Sequence, residues 1–145
     1  MAPNELRSIL LRYFDLLYGE QLETLLDLFA DEVDWLIVPT ATEIRGKAQL
    51  RELAANHWRA SPNRVKKLVN LFASEEYACL EYISAGTVTA DADFVTTKIE
   101  ATGRRYELSC CFVFHFRPDG KIDQVREYFD LQTVQHQVGG QGNNP

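Results

Sequence analysis

Lys121-Ile122-Asp123-Gln124-Val125-Arg126-Glu127-Tyr128-Phe129-Asp130 is the stretch on which the reading of this chain turns. It follows a tight Pro118-Asp119-Gly120 turn, and an apolar strand from Tyr106 to Phe116 runs before that turn. The pair is expected to form a hairpin. Side chains alternate along a strand, so Val125, Glu127 and Phe129 point the same way. Two of the three suit a core, and the third is an acid. A carboxylate on an apolar face is costly unless it is paired, protonated or facing a water-lined cavity. The competing register, slipped at Asp119-Gly120, would turn Glu127 to solvent and bring Arg126 and Tyr128 inward.

Strands are expected at Val65 to Ala73, Tyr77 to Thr89, Phe94 to Ala101, Arg104 to Arg117 and Ile122 to Asp130, separated by turn-forming residues. The first part of the chain reads differently. Leu6, Ile9, Leu10, Tyr13 and Leu17 form a helical stripe that Asn4 can cap and Gly19 breaks. Leu22, Leu25, Leu26 and Phe29 mark a second helix, and Val33 to Val38 a short strand. A third helix follows Gly46, carries Leu50, Leu53, Ala54 and His57 on one face, and stops at Ser61-Pro62. Leu131 to Val138 is expected to add one helical turn capped by Asp130. Helices first and strands after make an α+β order, with three N-terminal helices packed on a curved, mostly antiparallel sheet of about six strands. Residues 1–138 read as a single domain, and 139–145 as a polar, Gly-rich, disordered tail.

At 145 residues the chain can bury a real core, roughly 70% of its unfolded surface. The net charge of −6 argues against nucleic acid as a partner. No apolar run approaches the length of a membrane span, and the charged N-terminus lacks a signal-peptide core, so a cytoplasmic location is expected. Cys79, Cys110 and Cys111 cannot all pair with one another, and reduced, packed thiols are expected. Cys110 and Cys111 should point to opposite faces of their strand. No zinc spacing, calcium loop or phosphate-binding glycine loop is present, so neither a metal nor a cofactor is expected. The outward face around Cys111, Val113 and His115 is too apolar for a solvated sheet, and a homodimer packed through it is expected.

Three local motifs carry a family resemblance over almost the whole chain: Leu28-Phe29-Ala30-Asp31 closing the helical pair, Ile44-Arg45-Gly46 before the third helix, and Phe114-His115-Phe116 leading to Arg126-Glu127-Tyr128-Phe129-Asp130. In order and motif the sequence resembles the NTF2-like (cystatin-like) superfamily. That group holds the ketosteroid isomerases, the SnoaL-type polyketide cyclases and the limonene-epoxide hydrolases. The resemblance implies a cone-shaped fold around an apolar pocket. It does not by itself imply one activity, because this fold hosts many.

Carried over residue by residue, Tyr13 stands where the isomerases have an oxyanion-stabilising tyrosine. Ile37 stands near the place of their aspartate base, and Phe114 at the place of their second oxyanion donor, so steroid-isomerase chemistry does not carry over. The epoxide hydrolases resemble the other end of the chain. Their Arg-x-Asp and Trp-Arg-Asp-Tyr-Phe-Asp patterns correspond to Lys98-Ile99-Glu100 and Val125-Arg126-Glu127-Tyr128-Phe129-Asp130. The resemblance then implies that Glu127 activates water, Glu100 protonates an opening epoxide, and Lys98 bridges the two. Physically, two nearby carboxylates do not both ionise cheaply, so one is held protonated as the acid. Lysine lacks the planar fork of arginine. Trp35 and Ile37 also replace the tyrosine and asparagine with which that family holds its water.

Tyr13, Trp35, His57, Phe112, Phe114 and Phe129 are expected to line the pocket, with a hydrogen-bonded core role the bland alternative for Tyr13 and His57. The expected ligand is a hydrophobic, oxygenated small molecule of polyketide- or terpenoid-like type. Epoxide opening, cyclisation and isomerisation all remain open, and the competing class is a non-catalytic ligand-binding or assembly module.

Overall fold

Leu6, Leu10 and Tyr13 recur at helical spacing, and they are the buried side of α1, Pro3–Leu16. The helix starts one residue before Asn4, the expected cap. Pro3 has a preset φ suited to a first turn, and the Glu5 carboxylate reaches back to accept the Ala2 N–H at 3.2 Å. The structure is a computed structural model describing residues 1–94, 97–99 and 101–138, with only the backbone of 92–94 and 97–99 described.

After α1 come α2 (Leu22–Leu26), β1 (Phe29–Ile37), β2 (Thr42–Arg45) and α3 (Gly46–Ala60). Then follow β3 (Val65–Ala73), β4 (Tyr77–Thr87), β5 (Ala92–Phe94), β6 (Thr97–Ile99), β7 (Arg105–Phe116), β8 (Ile122–Tyr128) and α4 (Leu131–Val138). Asp130 caps α4 as expected, its carboxylate accepting the Gln132 N–H at 3.0 Å and the Thr133 hydroxyl at 2.9 Å.

Six strands form one sheet in the order β2-β1-β8-β7-β4-β3, and β5 and β6 pair antiparallel as a separate two-stranded sheet where one longer strand is expected from sequence. Two further expectations are corrected. The helices are not three in a row, since α2 is five residues long and β1 and β2 intervene before α3. The sheet is mixed, because β1 runs parallel to β8 while its other pairings are antiparallel. Phe29 continues the stripe of Leu22, Leu25 and Leu26, but it is paired as a strand residue with Ile122. The Leu28 carbonyl accepts the Ile122 N–H at 3.0 Å, and this tertiary pairing overrides the local pattern.

The turn between β7 and β8 holds the register that points Glu127 inward. Gly120 adopts a φ of 86°, and its N–H donates to the Arg117 carbonyl at 2.9 Å. One face of the sheet carries Phe114, Leu80, Ile122 and Val125, all buried. α1 covers this face over β3 and β4, and α3 covers it over β1 and β2. The opposite face carries Cys79 and Cys111, whose Sγ atoms lie 3.6 Å apart as free thiols. No helix among the described residues is long and apolar enough to cross a membrane.

Candidate active site

Between α1, α3 and the inner sheet face lies a cavity of about 120 Å³. Its floor comes from alternate residues of four strands: Trp35 of β1, Glu127 of β8, Leu108, Cys110 and Phe112 of β7, and Tyr82 and Ser84 of β4. Leu50, Leu53, Ala54, His57 and Trp58 of α3 form one wall, and Tyr13, Leu17 and Tyr18 another. The aromatic rings brace one another, with Tyr82 stacked on Phe112 at 5.5 Å and Trp35 edge-on to Phe112 at 5.9 Å.

Glu127 is buried, with Ile37 and Phe112 as its neighbours in register on either side. Its Oε1 accepts a hydrogen bond from Trp35 Nε1 at 2.9 Å. Burial in these apolar surroundings raises its pKa from the ordinary 4.5 to about 7, opposed by the Trp35 hydrogen bond and the positive charge of Arg64. Both protonation states are therefore populated near neutral pH, as a proton-transfer group requires.

The other titratable groups around the cavity are held in one state. Burial, together with Arg64 beside it, lowers His57 to about 3, so its imidazole stays neutral. Burial and the nearby Glu127 push the Cys110 thiol up to about 12, so it does not serve as a thiolate nucleophile. Burial raises Tyr13 well above its ordinary value, and its hydroxyl keeps its proton.

The far wall is polar. The Tyr18 hydroxyl lies 3.0 Å from the Tyr82 hydroxyl and donates to Ser84 Oγ at 3.1 Å. The Arg64 guanidinium sits 4.7 Å from the centre of the Tyr18 ring. Sequence reasoning missed Tyr18, Arg64, Tyr82, Ser84 and Cys110. Tyr82 and Ser84 did leave a signal: they alternate with Ala78 and Leu80 on the inner face of β4, polar tips on an apolar row. Arg64 left none, since it stands in the loop between α3 and β3.

Of the residues expected at the site, Glu127, Tyr13, Trp35, His57, Phe112 and Phe129 line the cavity. Phe114 does not. It is fully buried behind the wall, 5.3 Å from the Tyr13 ring and 6.2 Å from Phe112, because its position on the central strand β7 faces the body of α1. Lys98 stands in β6 opposite Asp93 of β5, with only its backbone described. Glu100 lies outside the described residues.

The raised pKa of Glu127 has a thermodynamic consequence. The folded state keeps a proton that the unfolded chain releases near pH 4.5. The stabilisation from that proton is complete below pH 4.5 and is lost as pH rises to about 7, above which it is flat. The loss amounts to about 3 kcal/mol. Urea unfolding of the wild type and Glu127→Gln, measured side by side from pH 4.5 to 8, should show the wild type losing ground by that amount across this window. Parallel curves would mean that the carboxyl titrates normally.

A sequence model described as a SnoaL-like domain matches residues 10–125. The chain belongs to the SnoaL-like domain family. Solved structures share the fold of this SnoaL-like chain at low identity. A provisionally assigned SnoaL-like polyketide cyclase from Jannaschia sp. CCS1 is 14% identical with a TM-score of 0.84, covering 99% of this chain and 95% of its own. SalBIII, an epoxide hydrolase/cyclase-like enzyme of pyran ring formation in the polyether salinomycin, is 16% identical with a TM-score of 0.72, covering 90% and 94%. An NTF2-like protein from Burkholderia xenovorans LB400 is 21% identical with a TM-score of 0.73, covering 95% and 98%. No curated protein matches the sequence.

Proposed function

We propose that the cavity is an active site in which Glu127 moves a proton on a hydrophobic, oxygenated small molecule of polyketide- or terpenoid-like type, in a cyclisation or isomerisation. The observation that carries this reading is a buried carboxyl with a pKa of about 7 facing an aromatic cavity. Among the described residues it is the sole carboxylate of the lining, and Trp35 occupies only its Oε1. Ionised Glu127 takes a proton from carbon or oxygen of the substrate. The negative charge that develops on the substrate oxygen is met by a hydrogen bond from Tyr13. The protonated carboxyl then returns the proton at another atom, so no net proton or water is consumed.

Epoxide hydrolysis is the second reading, favoured by the charge set Lys98, Glu100 and Glu127 in the sequence. Against it stands Ile37, the neighbour of Glu127 in register, which offers no hydrogen bond to a second water contact. Turnover of a panel of terpenoid epoxides and cyclisable polyketide-like ketones in ¹⁸O-labelled water separates the two. Proton transfer predicts a product without solvent oxygen and a kcat/KM that rises with pH to half its maximum near 7, as Glu127 loses its proton. One labelled oxygen per product would establish hydrolysis instead. Binding across the panel with no turnover anywhere would favour a non-catalytic ligand-binding module.

The same reading includes a homodimer packed through the outer sheet face. That face and its edge expose Val65 and Phe72 at 61% each and Tyr77 at 50%, more apolar surface than scattered single residues. Light scattering at micromolar concentration should report a dimer, and Phe72→Asp should shift it toward monomer. A wild-type monomer under those conditions would remove the dimer from the proposal.

A further inference from the structure

Arg64 lines the cavity, yet among the described residues no carboxylate lies within ion-pair distance of its guanidinium. One Nη2 donor goes to the His57 carbonyl at 2.8 Å, and the face of the group rests on the Tyr18 ring. Its Nε is buried without an acceptor. A guanidinium carries five donors and keeps its charge at any physiological pH. Setting an unpaired cation into an aromatic cavity wall is unfavourable for folding alone, so a ligand that completes it is the economical explanation.

The surroundings hold this cation in place. Gly86 of β4 lets the loop after α3 lie on the strand; a Cβ there would stand 2.8 Å from Ser61 Oγ and 3.3 Å from Arg64 Cα. Tyr18 has a φ of 68°, in the left-handed region, at the position after the end of α1 where glycine is the usual residue. A bulky residue is strained in that conformation, and here it directs a hydroxyl to Tyr82 and Ser84. Lys66 fixes the same helix end by donating to the Leu17 carbonyl at 2.7 Å. Three hydroxyls and a cation thus meet on one wall, while Glu127 sits on the floor among apolar residues.

We propose that Arg64, with Tyr18, Tyr82 and Ser84, is an anchor for an anionic substrate oxygen, so that the substrate is a hydrophobic carboxylic acid bound with its carboxylate on this wall and its apolar body toward Glu127. This rests on the cavity being the ligand site proposed above. The anchor is a binding element that fixes which atom of the substrate lies at Glu127.

Calorimetric titration of the full chain at pH 6 with trans-cinnamate and its neutral analogue trans-cinnamamide tests it, since the two share shape and differ in charge. The wild type should bind cinnamate at least about tenfold more tightly, as expected for charge-assisted hydrogen bonds. Arg64→Gln should reduce that preference to about twofold or less while leaving the cinnamamide Kd unchanged, which also reports an intact cavity. Arg64→Lys should keep part of the preference. Equal binding of the two probes by the wild type, no binding of cinnamate at millimolar concentration, or an equal loss for both probes in Arg64→Gln would overturn the anchor. Glu127→Gln keeps the two readings apart: loss of turnover without any cinnamate preference defeats the anchor and leaves the proton-transfer reading standing. A cinnamate preference with full turnover in Glu127→Gln does the reverse.

Discussion

Glu127→Gln is expected to lower kcat about 100- to 10,000-fold on any accepted substrate, the range contributed by a positioned acid–base group. Substrate affinity should stay within about threefold, because no binding contact is assigned to the proton itself. The substitution is conservative in structure. Glutamine keeps an oxygen that can accept the Trp35 N–H, now 2.9 Å from Glu127 Oε1, and it fills the same space between Ile37 and Phe112. What it lacks is a titrating proton. Steady-state rates together with calorimetric Kd values on both proteins check this. An unchanged kcat would take Glu127 out of the chemistry and leave it a buried acid of the wall.

Phe114→Ala should have the largest effect on stability, a loss of about 3–5 kcal/mol. Phe114 is fully buried on a central strand and packs against both Tyr13 and Phe112. Its removal opens a cavity beneath the ring of Tyr13, so the loss of packing should be accompanied by a misplaced tyrosine and a lower kcat. Phe72→Ala is the internal comparison. Phe72 is 61% exposed in the monomer, and its loss should change monomer stability by no more than about 0.5 kcal/mol. Urea unfolding with unchanged m-values, at a protein concentration below that of dimer formation, measures both. A Phe72 effect as large as that of Phe114 would mean that the outer face is covered, and that dimer and fold are coupled.

The strands were legible where alternation and turn chemistry agree. β3 runs Val65–Ala73 as the pattern requires, and the Pro118-Asp119-Gly120 turn fixes β7 against β8 so that Glu127 faces inward beside Val125. The slipped register, with Arg126 and Tyr128 inward, is absent: both are exposed. The start of β1 was not legible, because Leu22, Leu25, Leu26 and Phe29 satisfy a helical period whether or not the helix continues. Only the pairing of Phe29 with Ile122, far along the chain, decides it. The parallel β1–β8 contact is invisible for the same reason: periodicity gives the buried face of a strand and says nothing of its neighbour.

The site divides along the same line. Glu127 was found as a local conflict, an acid in an apolar row. Arg64 conflicts with nothing nearby in sequence, since Pro62 and Asn63 before it and Lys66 two residues after it are what a solvated loop leading into a strand would carry. Its placement in the cavity depends on α3 ending at Ala60 and on Gly86 admitting the loop. Lys66 looks in sequence like any charged strand residue, yet its Nζ caps the carbonyl end of α1. That contact crosses from β3 to a helix with no trace in either segment.

The most direct measurement is a pH titration of the glutamate side-chain carboxyl carbons by NMR, using protein labelled with ¹³C at glutamate and Glu127→Gln to assign the resonance. One resonance, missing in the variant, should titrate with a midpoint near pH 7 while no ligand is present. A midpoint at or below about 5, the ordinary range for a solvated glutamate, would mean that Glu127 is not held as a neutral-pH proton carrier, and the proposed chemistry would lose its base.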